Sequence, residues 1–169
     1  VAAVVGRKDL FDSLEYGEAS DTWSANPICC AAVIATLEEF ENGKVLEHSR
    51  RASAIIEEGL IALKKDLPFI ANVRGEKGGM VWGVEMKDWA EKNSHEWACA
   101  MVEACYRGGP NGDGIHILGP LARKVVRISP PLTISLTEAA ASMKLMHKLL
   151  APLANVNVNS ATTPVVVSK

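Results

Sequence analysis

The sequence has no stretch near the roughly 18 uninterrupted apolar residues that a membrane-spanning helix needs, and residues 1–20 do not carry a basic-apolar-small leader pattern. No membrane partner is expected. Charge of one sign is also missing: 18 Lys+Arg against 20 Asp+Glu leave a formal net charge of −2, with no long basic run. That removes the electrostatic footprint of a nucleic-acid binder. A cysteine framework is absent too. The four cysteines form one adjacent pair, Cys29 and Cys30, and one pair with five residues between them, Cys99 and Cys105. Neither spacing is that of a disulfide scaffold or a CxxC metal site, so a reduced, cytoplasmic chain is expected. There is no GxSxG and no GxxxxGK[ST], which leaves serine hydrolysis and P-loop chemistry unsupported. No internal repeat or low-complexity block occurs.

What is present is a chain of 169 residues, 48% hydrophobic and 22% charged. That is enough for one domain, or for a small domain joined to a piece of another. The first residue is Val, at the start of a β-branched and Ala run over residues 1–5 that reads as a buried strand already in progress. A fragment of a longer protein is the expectation. Residues 10–24 show no sustained period and read as a long loop. Asn26-Pro27 supplies a cap and a proline at the first helical position, so a helix starts there and, being apolar over residues 28–40, is expected to be largely buried. Asn42-Gly43 ends it.

Beyond that break, Val45, Leu46, Ala52, Ile55, Ile56, Leu60 and Leu63 form one helical stripe that stops before Pro68. Residues 70–74 and 80–86 read as a β-hairpin joined by Gly75-Glu76-Lys77-Gly78-Gly79, with Met80, Trp82, Val84 and Met86 on one face. Residues 94–106 return to helical spacing, stopped by Gly108-Gly109-Pro110. Residues 115–118 and 125–128 read as two further strands, and Pro130-Pro131 ends the second. Ser135-Leu136-Thr137-Glu138 is a capping box for a last helix running to about Pro152. Residues 44–152 thus predict α-β-β-α-β-β-α, an α+β small domain whose antiparallel sheet carries helices packed on one face. The tail, residues 153–169, is expected to be mobile.

Few residues carry a chemical signal. Gly75 to Gly79 follows a strand without opening a helix, so it reads as a hairpin turn and not as a phosphate loop. His95 and Cys99 stand four apart on a helix and can face one metal ion, but no second ligand pair follows and no metal site is assigned. Arg127 lies at the end of an apolar strand, immediately before Ser129-Pro130-Pro131-Leu132. A guanidinium there is either a carboxylate clamp or an ordinary strand-end arginine, paired with Glu or left in water. Thr22 precedes a capped helix start, where it is either part of an anion-binding loop or a turn-forming residue.

These positions sit inside a longer pattern. Asp21-Thr22-Trp23-Ser24-Ala25-Asn26-Pro27, with Cys30-Ala31-Ala32 and Ala35-Thr36-Leu37-Glu38, resembles the T-F-x-x-N-P-x-x-x-A-A-x-x-T-L segment of class III pyridoxal-phosphate aminotransferases. Val73-Arg74-Gly75 with Gly78-Gly79-Met80 and Gly83-Val84-Glu85 resembles the family's V-R-G-x-G-x-M-x-G-x-E hairpin, one residue longer before the second glycine. Gly114-Ile115-His116-Ile117-Leu118 and Val126-Arg127-Ile128-Ser129-Pro130-Pro131-Leu132 resemble its closing strands.

The resemblance implies the α/β fold of type I pyridoxal-phosphate enzymes. Residues 1–43 would be the end of the large cofactor-binding domain and a connecting helix, and residues 44–152 the C-terminal small domain. It implies a transaminase of the 4-aminobutyrate or acetylornithine type, moving an amino group from an ω-amino acid or diamine to a 2-oxo acid. It implies further that Thr22 reaches the cofactor phosphate of the partner subunit in a homodimer, and that Arg127 binds the substrate carboxylate. The Schiff-base lysine of the family would lie upstream of residue 1, so pyridoxal 5′-phosphate is expected in the full-length protein and not on this chain alone. Lys8, after the opening run, does not match it, and the isolated chain is expected to be inactive. A racemase or decarboxylase of the same family, or a non-enzymatic binding or assembly module that keeps the fold, remains as an alternative.

Overall fold

Helix-start chemistry places the helices. The computed structural model describes residues 2, 4–19, 21–75 and 77–155. The chain divides into two compact units, Val1–Val45 and Leu46–Lys169.

In the first unit, a four-residue helix α1, Lys8–Phe11, runs into the start of the loop expected over residues 10–24, braced by ion pairs Arg7–Asp9 at 2.7 Å and Lys8–Asp12 at 2.5 Å. Helix α2, Pro27–Asn42, begins as expected: the Asn26 side chain accepts from the Ile28 amide at 3.0 Å and Pro27 occupies the first turn. Two expectations are corrected here. Residues 1 and 3 of the expected opening strand lie outside the described residues; residues 2, 4 and 5 belong to no strand, and Val4 and Val5 are 85% and 94% exposed. A strand exists only in a ladder, and β-branched composition cannot supply the partner. Likewise no residue of α2 is buried, and Ile28, Ile34 and Leu37 are exposed. Apolar content sets what a helix gains from being covered, not whether a surface is there to cover it.

In the second unit, α3, Val45–Asp66, buries Ala52, Ile56, Leu60 and Leu63 and leaves Leu46 exposed. Strands β1, Ile70–Gly75, and β2, Trp82–Met86, form the expected antiparallel hairpin. Helix α4, Ser94–Arg107, is capped by Asn93 in a box with Glu96. Strand β3, Val125–Ile128, pairs antiparallel with β2. Helix α5, Leu136–Leu150, starts at the Ser135/Glu138 capping box. A 3-10 turn, Ala151–Asn155, takes in Leu153 to Asn155 of the segment expected to be mobile; residues 156–169 lie outside the described residues.

The sheet order is β1-β2-β3. Alternation along β2 turns Trp82, Val84 and Met86 inward, where Val126 and Ile128 of β3 join them. Leu60 and Leu63 of α3, Trp97 and Met101 of α4, and Met146 and Leu150 of α5 close the same core. Phe69 stacks on Trp97 with centroids 4.5 Å apart, and Trp97 satisfies its indole N–H on the Trp89 carbonyl at 2.8 Å. The fourth expected strand, residues 115–118, does not form: Ile115 and Ile117 are half-buried, but the segment joins no ladder. Its apolar alternation is satisfied by packing against the core, and the Ile115 amide bonds to the Cys105 carbonyl at 2.8 Å instead of to a strand.

Candidate functional site

Arg127 owes its position to period-2 alternation. Val126 and Ile128 turn into the core, so Arg127 stands on the opposite face, paired in register with Gly83 of β2. It is exposed, and its guanidinium has no hydrogen-bond or ion-pair partner among the described residues. The strand-end ion pair with Glu does not form. Glu85, the nearest acidic residue of β2, is taken by Lys124 at 2.8 Å and Arg74 at 3.7 Å. The Lys124 hydrogen bond and charge, with a smaller share from Arg74, hold the Glu85 carboxyl below its usual range. Arg127 lines a cavity of about 290 Å³ with Ile117, Leu118, Ser129, Pro130 and Met143. A single cation on the wall of a mainly apolar cavity suits a ligand with one carboxylate and a hydrocarbon body.

Behind this cavity, a contact invisible in the sequence ties distant elements. His48 of α3 bonds through Nε2 to the Ile134 carbonyl at 2.8 Å, across 86 positions. Ser53 of the same helix donates to the Gly79 carbonyl at 2.6 Å and so holds the hairpin turn against α3. Gly75-to-Gly79 therefore acts as a hairpin connection, as read from the sequence.

Thr22 belongs to the other unit. Asp21 organises its loop: Oδ1 accepts from the amides of Trp23 at 2.7 Å and Ser24 at 2.8 Å, and the Ser24 hydroxyl donates to Oδ2. Above all the Ser24 hydrogen bond, and then the two amides, hold the Asp21 carboxyl below its ordinary value. The sequence signal for this role of Asp21 is the D-x-x-S spacing before a capped helix, an Asx-turn pattern. Thr22 is exposed, and its hydroxyl has no hydrogen-bond partner among the described residues. Beside it Asp21, Trp23, Cys29, Cys30 and Ile34 line a cavity of about 510 Å³ that does not include Thr22. Thr22 and Arg127 are thus carried by different units. His95 and Cys99 do face each other on α4, Nε2 to Sγ 3.9 Å, and among the described residues no three His, Cys, Asp or Glu groups gather as a metal site.

The aminotransferase class-III model matches residues 1–150, and the chain belongs to that family. It is 31% identical over 134 residues to 4-aminobutyrate aminotransferase GabT of Escherichia coli, covering 79% of this chain and 30% of the relative. It is 28% identical over 156 residues to ornithine aminotransferase of Emericella nidulans, covering 92% and 32%. It is 29% identical over 153 residues to (R)-1-hydroxy-2-aminoethylphosphonate ammonia-lyase of Vibrio splendidus, covering 89% and 30%. The structure of Plasmodium falciparum ornithine delta-aminotransferase superposes with a TM-score of 0.68 at 21% identity, over 89% of this chain and 36% of that one. The fold is that of the aminotransferases. The chain spans about a third of the length of these relatives.

The cofactor of this family is pyridoxal 5′-phosphate. The described residues do not by themselves make a site for it: every lysine among them is exposed, and Lys8 is held in its ion pair with Asp12. An aldehyde needs an amine inside a water-excluding pocket, which none of these provides.

Proposed function

We propose that this chain forms the C-terminal part of a class III aminotransferase, with residues 1–43 closing the large cofactor-binding domain and residues 44–152 forming the small domain. The enzyme is cytoplasmic and homodimeric, and it transfers an amino group from an ω-amino acid or diamine, of the 4-aminobutyrate or acetylornithine type, to a 2-oxo acid. The bound pyridoxal 5′-phosphate supplies the electron sink on which the amino group changes hands. Arg127 holds the substrate carboxylate and so fixes which end of the substrate faces the cofactor. Thr22 gives its hydroxyl to the cofactor phosphate of the partner subunit. The Schiff-base lysine lies outside this chain, which alone is inactive.

The observation that carries this reading is the unpartnered guanidinium of Arg127 on an apolar cavity. A cation left without a carboxylate on a rigid strand is available for a substrate's. The test is turnover of 4-aminobutyrate with 2-oxoglutarate, by the chain alone and by the longer protein of which it is part. Activity is expected only in the longer protein, and turnover by the chain alone overturns the assignment.

Elimination on an amino-phosphonate or amino-phosphate is a second reading, favoured by the ammonia-lyase relative and by a 31% identical relative in Caenorhabditis elegans, ethanolamine-phosphate phospho-lyase homolog 1. A lyase releases ammonia without an acceptor, whereas a transaminase stops when the 2-oxo acid is withheld.

A further inference from the structure

On α4 the imidazole of His95 lies between two groups that fix its proton. Its Nδ1 faces the backbone carbonyl of Arg123 at 3.1 Å, and its Nε2 faces Cys99 Sγ at 3.9 Å. A carbonyl oxygen only accepts, so Nδ1 carries the hydrogen and donates it there. In the tautomer that donates from Nδ1, the Nε2 lone pair faces the Cys99 thiol. This is the order of a nucleophile, a base and the group that orients the base. The orienting carbonyl comes from a residue 28 positions away, held with a left-handed φ of 58°. Cys99 is exposed, so a small reagent can reach it; it stands outside the lining of the adjoining cavity of about 770 Å³, which His95 shares with Arg123, Lys124 and Asp88, the last accepting from the Ser94 amide at 2.7 Å. Lys124 is engaged by Glu85, whereas the Arg123 guanidinium has no partner among the described residues.

We infer that Cys99 is a thiol-modification site, activated by His95 and reacting with small disulfides that carry carboxylates, of the glutathione kind. Nε2 takes the Cys99 proton as the sulfur attacks one sulfur of the disulfide. The disulfide bond breaks, and its electron pair leaves with the departing sulfur. That sulfur takes the proton from the imidazolium and departs as a thiol. Cys99 is oxidised to a mixed disulfide, and half of the reagent is reduced. Arg123 pairs with a carboxylate of the incoming molecule. The site shares no residue with the cavity that Arg127 lines and does not depend on transamination.

The experiment follows modification of Cys99 in the full chain by oxidised glutathione, read by peptide mass mapping near neutral pH. The same residue in the urea-unfolded chain serves as its own reference. A free thiol is only slightly ionised there, so proton removal by His95 is expected to make native Cys99 react about tenfold faster than in the unfolded chain. His95→Gln, an exposed change that leaves the Asn93 cap in place, removes that advantage. Arg123→Gln slows oxidised glutathione but not a neutral dipyridyl disulfide. Equal rates in native and unfolded chains, or an unchanged rate in His95→Gln, overturns the site. Equal slowing of both reagents, or of neither, by Arg123→Gln overturns the assignment of carboxylate-bearing disulfides.

Discussion

Arg127 stands directly across from Gly83 in the β2–β3 ladder, so the guanidinium rises from the sheet beside a residue that has no side chain. Nothing on β2 at that rung competes for it, and the neighbouring Glu85 is held by Lys124 and Arg74. Removing the charge is therefore expected to leave the fold intact and, on the proposed role of Arg127, to cost a carboxylate ligand its partner. In the longer protein, Arg127→Ala is expected to raise KM for carboxylate substrates by roughly 2–3 kcal/mol of lost binding. Urea unfolding of the chain should change by less than about 0.5 kcal/mol, as for other exposed positions. Steady-state kinetics with a carboxylate substrate and with an amine lacking one checks it.

Thr22→Val keeps the shape of the side chain and removes the hydroxyl. Cofactor affinity of the longer protein is expected to fall by roughly 1–2 kcal/mol, because a phosphate loses one charge-assisted donor. Equilibrium titration with pyridoxal 5′-phosphate reads the effect; equal affinity takes Thr22 out of the phosphate site.

Gly75 pairs with Trp82 across the hairpin, and a Cβ added there would collide with Trp82 Cδ1. Trp82 is fully buried and cannot swing away. Gly75→Ala is expected to destabilise the second unit by about 1–3 kcal/mol, the usual cost of overpacking. The urea midpoint should drop with an unchanged slope.

The capping box of α5 sets a pH dependence. The Ser135 hydroxyl, and then the Ser135 amide, hold the Glu138 carboxyl below its ordinary value in the folded chain. The folded state thus binds the Glu138 proton more weakly than the unfolded state. Its contribution is present above the unfolded value, roughly pH 4.3, and is lost as pH falls through the lower folded value. Native chain should lose more stability between about pH 5 and pH 3 than Glu138→Gln does, measured by urea unfolding across that window.

Burial pushes the Cys105 thiol up to about 11 and shields it, whereas Cys29, Cys30 and Cys99 are exposed. A thiol reagent at neutral pH is expected to label those three in the native chain and to reach Cys105 only on unfolding. Labelling of Cys105 at native conditions would show that the core around Met101 and Trp97 opens locally.

Much of the fold was legible because its signals are local. Asn26-Pro27, Ser135 with Glu138, and the glycine turn between residues 75 and 79 each act on backbone groups a few positions away. The inward set Trp82, Val84 and Met86 follows from a two-residue period that needs no knowledge of neighbours. Arg127 and Thr22 stood out through the family pattern around them, and the structure adds that neither side chain has a partner among the described residues. Residues 115–118 carry the same apolar alternation as β3 and still form no strand.

The sequence by itself determined where the capped helices α2, α4 and α5 begin, which faces are apolar and to which family the chain belongs, since caps, periods and motif order are properties of neighbouring residues. Tertiary structure decided the rest. Whether residues 115–118 pair, whether α2 is covered, and that the Arg123 carbonyl orients His95 toward Cys99 all depend on groups brought together from far along the chain. Such contacts are set by packing and hydrogen-bond satisfaction across the fold, for which no local pattern exists.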